Sequence, residues 1–255
     1  MLNAFDYPLL IFGVSFFVLW LVARLGWSVL KRRRELDSVA REDFDVIVGA
    51  TLTLLALLIG FSFSMAIGRY DQRKNYEEAE ANAIGTELVR ASLLPAADWA
   101  RVRTLLHNYL DQRVLFYLSR DYREIREINI RTAQLQTELW SAVQVPAVAQ
   151  PNPLVALTVA GMNDVLNSQG YTQAAWSNRI PPAAWSLMAL VAICCNLLVG
   201  YGARITRVGG LLLMVLPLVV SIAFLLIADI DSPRGGLIHV HPQNLLGLSA
   251  TTPAH

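Results

Sequence analysis

Four apolar runs, each about twenty residues long, set the terms on which this chain can fold. Roughly 20 residues of helix cross about 30 Å of hydrocarbon. The first run extends from about Tyr7 to Leu30, the second from Val46 to Ile67, the third from about Ala183 to Ala203 and the fourth from Val208 to Ala228. No water satisfies backbone N–H and C=O groups in hydrocarbon, so a span must be a helix or part of a closed barrel. These runs lack the alternation of barrel strands. The expected fold is an all-α polytopic membrane protein with four transmembrane helices and a helical extramembrane insert between the second and third. Arg24 lies near one end of the first run, where it can snorkel. Pro217 is expected to kink the fourth. The first run has no basic residue before it and is followed by Lys31, Arg32, Arg33 and Arg34, so it is expected to be retained as a span rather than removed as a signal. The composition agrees, with 55% hydrophobic and 16% charged residues and a mean hydropathy of +0.43.

The chain divides on this pattern into residues 1–68, a first helix pair with a basic loop; 69–180, the insert; 181–230, a second helix pair; and 231–255, a tail. The insert has 112 residues carrying 12 basic and 12 acidic side chains, which calls for water. No proline interrupts Ile67 to Leu94, so the second span is expected to continue as one helix to Pro95. A helix over Trp99–Leu118, capped by Asp98, follows from the three-to-four spacing of Val102, Leu105, Leu106, Tyr109, Leu110, Val114 and Tyr117. A third element, from about Asp121 to Val143, carries Ile125, Ile128, Thr132, Leu135 and Leu139 on one stripe. Pro146, Pro151 and Pro153 are expected to mark a linker before a helix from Leu154 to about Trp176.

Several classes of function fall away. Lys plus Arg is 21 and Asp plus Glu is 20, a formal charge of +1, which leaves no basic excess for nucleic acid. No nucleophile, metalloprotease or phosphate-loop motif occurs, so neither an enzyme nor a cofactor is expected. Cys194 and Cys195 are adjacent in an apolar run, and His239 and His241 lack a third ligand, so no metal site is expected.

The second span carries two contrasting stripes. Ala56, Gly60, Ser64 and Gly68 recur every four residues, a small-residue strip on which another helix can pack closely. On another side, Thr51, Leu55, Leu58 and Ser62 with Arg69 fall within about 60° on the helical wheel, and Met65 extends that face. Around an axis between copies, Thr51 and Ser62 would offer hydroxyls to an ion, with Leu55 and Leu58 as an apolar constriction. The other reading has the stripe packed against another span, its hydroxyls bonded to their own helix. Arg69 and Asp71 after the second span, and Asp229 and Asp231 ending the fourth, are expected at one membrane boundary, with an Arg69 ion pair or a charged pore mouth as the two readings. Farther on, Glu80, Asn82, Thr86 and Arg90 form a candidate polar network in the insert. Basic residues in the short loops, Lys31–Arg34 with Arg41 and Arg204 with Arg207, place those loops in the cytoplasm and the insert outside, in the periplasm of an inner-membrane protein.

The run GFSFSMAIGRYDQRKNYEEAEANAIGTELVRASLLP at Gly60–Pro95, with GMNDVLNSQGYTQAAWSNRIPPAAW at Gly161–Trp185 and ADIDSPRGGLIHV at Ala228–Val240, resembles a family of bestrophin-like bacterial membrane proteins. The resemblance implies a two-span, helical-insert, two-span subunit of an ion channel assembled as a ring, five subunits favoured and four the alternative, with the second span lining the pore. The lipid bilayer, copies of the chain and permeant ions are then its partners. The resemblance also implies a cytoplasmic insert, opposite to the loop charges, and of an acidic calcium clasp this sequence retains at most Asp229 and Asp231. Against the channel stands a non-conducting membrane-anchored scaffold or sensor built on the insert.

Overall fold

In the computed structural model, which describes residues 7–29, 38–205 and 211–251, all regular structure among the described residues is helical. The elements are α1 (Pro8–Val29), α2 (Ser38–Arg90), a 3-10 turn (Ala91–Leu93), α3 (Ala96–Leu118), α4 (Tyr122–Ala149), α5 (Pro153–Ser177), α6 (Pro182–Ile205), a second 3-10 turn (Leu212–Met214), α7 (Val215–Asp231) and α8 (Gln243–Thr251). Among the described residues, four helices are long and apolar enough to cross a membrane. Most of the basic loop, Lys31–Arg34, together with Arg207 and the first residues assigned to the fourth span, lies outside the described residues.

The second span does run on without a break: α2 has 53 residues, about 80 Å at about 1.5 Å per residue. Its α-helical geometry ends at Arg90, and one 3-10 turn carries the chain to Pro95. Pro95, not Asp98, is the N-cap of α3, and Asp98 stands inside the first turn, where its charge still suits the positive helix end. Asp121 does cap α4, accepting from the Arg123 N–H at 2.9 Å. Pro146 is not in a linker but inside α4, buried against the core. The linker is only Gln150–Asn152, and Asn152 caps α5 by accepting from Leu154 N and Val155 N at 3.0 Å. Pro217 does not interrupt the middle of a span: it is the third residue of α7, a first-turn position where the missing N–H costs little.

The chain forms two compact units, one of residues 1–69 and 179–239, the other of 70–178 and 240–255. In the first, α1 packs along α6 and α7. Glycine makes this possible at two points. A Cβ at Gly26 would strike the Leu197 carbonyl oxygen, and one at Gly200 would strike that of Ala23, so the backbones approach too closely for any side chain. Farther along α6, Tyr201 meets Phe44 of α2 edge-to-face at 5.3 Å. Arg24, beside the α1–α6 crossing, lays its guanidinium over Trp20 of its own helix, 5.5 Å from the ring centre.

The second unit packs α3, α4, α5 and α8 with the later part of α2. Its core contains Ile84, Leu88, Leu106, Tyr109, Leu110, Leu135, Leu139, Met162 and Leu245. Of the stripe expected on α3, all but the half-buried Val114 are buried, and all five stripe residues of α4 are buried. The tail contributes α8, an element that the sequence reading did not anticipate. Its N-terminus is held by buried Glu77, whose carboxylate accepts from Asn244 N and Leu245 N at 3.0 Å each and from Asn244 Nδ2 at 2.7 Å. A carboxylate here satisfies orphan N–H groups and complements the helix dipole at once.

Candidate functional site

The stripe expected to face a pore is largely turned inward. Leu55 is 2% exposed and Ser62 6% exposed, so neither lies on the surface of the chain. Thr51 and Leu58 are half-buried on the flank. The Thr51 hydroxyl donates to Ile47 O and Val48 O, both at 3.0 Å, the self-satisfied arrangement that helical threonines adopt. Met65 is 40% exposed. The physical reason is periodicity. Thr51, Leu55, Ser62, Ala66 and Arg69 lie within about 60° on the wheel, and this is the face that the chain uses for its own packing.

The outward face of α2 is a different one. Leu54, Leu57, Phe61, Met65 and Gly68 lie within about 80° of one another, and all are exposed, Phe61 at 63%. Ala56, Gly60, Ser64 and Gly68 are exposed as well, and a Cβ built on Gly60 or Gly68 would meet nothing within 4 Å. Among the described residues, the small-residue strip is thus open at Gly60 and Gly68.

At the end of the first unit, Arg69 Nη1 reaches Asp231 Oδ1 at 3.3 Å, while its Nη2 points to Met65 Sδ at 3.4 Å. Asp231 also accepts from Ile180 N, at 3.2 and 3.1 Å to its two oxygens. One carboxylate therefore fastens α7, the entry to α6 and α2 together. Asp229 does not join that pair. Its oxygens accept from Leu237 N at 2.8 Å and Ile238 N at 2.9 Å, folding the SPRGGL segment back on α7. At Gly236 a Cβ would lie 2.5 Å from the Asp229 carbonyl oxygen and 2.8 Å from Oδ1, so only glycine fits that turn. Asp71 is exposed. Among the described residues no group of three or more His, Cys, Asp or Glu could hold a metal ion.

In the second unit the expected polar network splits. Asn82 and Thr86 are exposed, and Arg90 reaches Asp164 of α5 at 3.7 Å. Glu80 points the other way, into the core. Arg113 Nε donates to its Oε1 at 2.5 Å, Tyr117 Oη and Thr172 Oγ1 donate to its Oε2 at 3.3 and 3.1 Å, and the Arg113 guanidinium lies 4.4 Å from the centre of the Phe116 ring. Burial opposes the Arg113 charge, but the Glu80 carboxylate more than offsets it and holds the guanidinium pKa above its ordinary value. Burial and then Glu80 push the Tyr117 phenol up, which keeps it a neutral donor. The residues that sequence reasoning passed over are Glu77, Glu87, Arg113, Thr172 and Gly161, while Tyr117 was expected as core and not as a donor. A signal for some of them exists: Arg73, Glu77, Glu80, Ile84, Glu87 and Ala91 recur at three-to-four spacing, a core-facing period written largely in charges.

Residues 10–245 match the family described as the Bestrophin-like domain. Among solved structures, the fold is similar to that of a bacterial bestrophin homolog from Klebsiella pneumoniae in a tryptophan-to-alanine variant, with a TM-score of 0.66 and 13% identity, covering 98% of this chain and 100% of that one. A second structure of a bacterial bestrophin homolog from Klebsiella pneumoniae, phased on zinc, gives a TM-score of 0.63 at 13% identity over 95% and 98% of the two chains. No protein of curated function matches.

Removing either partner of the Arg69–Asp231 pair leaves the other charge poorly compensated. Arg69→Ala and Asp231→Ala should each lower the thermal midpoint in detergent, and the double variant should lose less than their sum, by a coupling of about 1–2 kcal/mol. Strictly additive losses would show that the pair contributes nothing to holding α7 and α2 together.

Proposed function

The chain belongs to the Bestrophin-like family, and on that premise we propose that it is a homo-oligomeric ion channel whose pore is lined by the second transmembrane helix. The observation that carries this reading is the outward face of α2. A single bundle of four spans has no room for an aqueous axis, so a pore requires copies around it. The face available to such an axis presents the exposed Leu54, Leu57 and Phe61 beside an exposed strip of Gly60, Ser64 and Gly68, open at both glycines among the described residues. A ring of large apolar side chains gates by excluding water, and the small-residue strip lets adjacent helices approach. Compared with the sequence expectation, the span is kept but its axis-facing side is rotated. The resemblance to bestrophins favours five subunits over four.

We further propose an inner-membrane protein with residues 31–45 cytoplasmic and the insert external. Arg69, Arg73 and Lys74, just beyond the second span, form a basic cluster that would favour the opposite orientation, but it is weaker than it reads. Arg69 is paired with Asp231, and Arg73 is buried, which leaves Lys74 as the exposed cation of the three.

Two experiments test these readings. Planar-bilayer recording of the purified protein should give currents. In an oligomer of unchanged mass, Phe61→Ser should raise resting conductance on the order of several-fold, because a hydroxyl ring holds water where an aromatic ring excludes it. A monomeric mass in nanodiscs, or a silent bilayer with a well-assembled ring, would favour the scaffold. For orientation, Gln144→Cys places a thiol at an exposed position of α4. With Cys194 and Cys195 replaced, it should react with an impermeant maleimide in intact spheroplasts. Labelling only after lysis would put the insert in the cytoplasm.

A further inference from the structure

Three glutamates of α2 are buried in the second unit, and two of them have hydrogen-bond donors: Glu77 holds the α8 N-terminus, and Glu80 holds Arg113, Tyr117 and Thr172. Glu87 is different. It is 0% exposed, and neither of its carboxylate oxygens has a hydrogen-bond partner. Across from it α5 presents Gly161, where a Cβ would collide with Glu87 Oε2 and lie 2.8 Å from Arg90 Nη1 and 3.0 Å from Arg90 Cδ. The glycine is the space in which these two side chains lie. The Thr158 hydroxyl, almost one turn earlier on α5, donates to the Arg90 carbonyl at 3.2 Å, so α5 is closed down onto this stretch of α2.

The charged groups that act on Glu87 are Arg90 from its own helix and Asp164 from α5. The Arg90 guanidinium is drawn outward to Asp164 at 3.7 Å and makes no hydrogen bond to Glu87. An ionised carboxylate without donors in a packed core is far costlier than the same group protonated. The closed α2–α5 contact therefore selects the neutral acid.

We propose that Glu87 is a reversible proton-binding site that locks α5 against α2 while protonated and loosens that contact when it ionises. On ionisation the proton passes to solvent, and the carboxylate competes with Asp164 for the Arg90 guanidinium or draws water into the contact; either response disturbs the tight packing at Gly161. Burial pushes the Glu87 carboxyl up to about 8, with Arg90 opposing and Asp164 adding to the rise. The site is thus poised just above neutrality. The inference concerns the extramembrane unit and holds whether or not the protein conducts.

The sign of the linkage is fixed. A carboxyl raised from 4.5 to about 8 in the folded state contributes stability that is complete below 4.5, declines as pH rises toward 8 and is gone above it. Thermal midpoints of the full-length protein in detergent should be compared for wild type and Glu87→Gln from about pH 4.5 to 9.5. The variant's advantage over wild type should grow steadily across that window and level off above about 8. A difference that does not change with pH would overturn the proposal. If Glu87→Gln does not fold, infrared difference spectra of the wild type supply the test. A protonated-carboxyl C=O band should be present at neutral pH and lost near pH 8, and Asp164→Asn, at an exposed position, should move that loss to lower pH. The absence of such a band at neutral pH, or a loss that Asp164→Asn leaves in place, would equally overturn it.

Discussion

A buried carboxylate must be given donors or a proton, and α2 places three of them, Glu77, Glu80 and Glu87, in the core of one packed unit. Much of that unit's arrangement follows from how each is answered. Glu77 takes the N-terminal amides of α8, which is why a nine-residue helix too short to be stable alone docks with Leu245 fully buried. Glu80 takes Arg113 and Tyr117 from α3 and Thr172 from α5, fixing two further helices to the same turn of α2. Around it the Phe116, Tyr117 and Trp176 rings meet edge-to-face at 5.1 to 5.6 Å and wall the ion pair from water. A well-packed apolar set of similar volume could be as stable as such a network; what the charges add is direction, since each accepts only neighbours that bring donors. At Glu87 the answer is a proton, and the neighbour is a glycine.

The first unit is held by other means, because charge is expensive near hydrocarbon. Its helices meet through Gly26 and Gly200, where backbone lies on backbone, and through aromatic contacts such as Trp185 with Phe224 at 6.0 Å. Polar fastening gathers at the end of α7. There Asp231 joins Arg69 and Ile180, and Asp229 folds the SPRGGL segment. Both carboxylates are thus employed in holding the subunit's own backbone and side chains.

Spans and insert helices were legible in the sequence because apolar periodicity and length report burial directly. The stripes on α3 and α4 landed in the core for that reason. Residue chemistry with two uses leaves both readings open in the sequence. Thr51, Leu55 and Ser62 form a stripe that would suit a pore or a helix contact equally, and only the packing of the subunit decides which; here the outward side belongs to Phe61 and its neighbours. Glu80 was legible only as one polar position of the insert, and Glu77 and Glu87 not at all, because a charge in a helix usually means solvent and the Glu80 partners Arg113 and Thr172 stand tens of residues away. Pro146 was read as a break because its neighbours Pro151 and Pro153 do lie at one, and α8 was missed because its N-terminal cap is supplied by Glu77, 167 residues earlier than Asn244.

The central claim is that the face of α2 left open by the subunit lines a pore between copies. Cysteine substitution in a background free of Cys194 and Cys195 addresses it most directly, with single cysteines at Leu55, Leu57, Phe61 and Ser62 and a charged thiosulfonate applied during bilayer recording. Rapid block at Phe61 and Leu57, with Leu55 and Ser62 unreactive, is the result this account predicts. Block at Leu55 or Ser62 with Phe61 silent would contradict it.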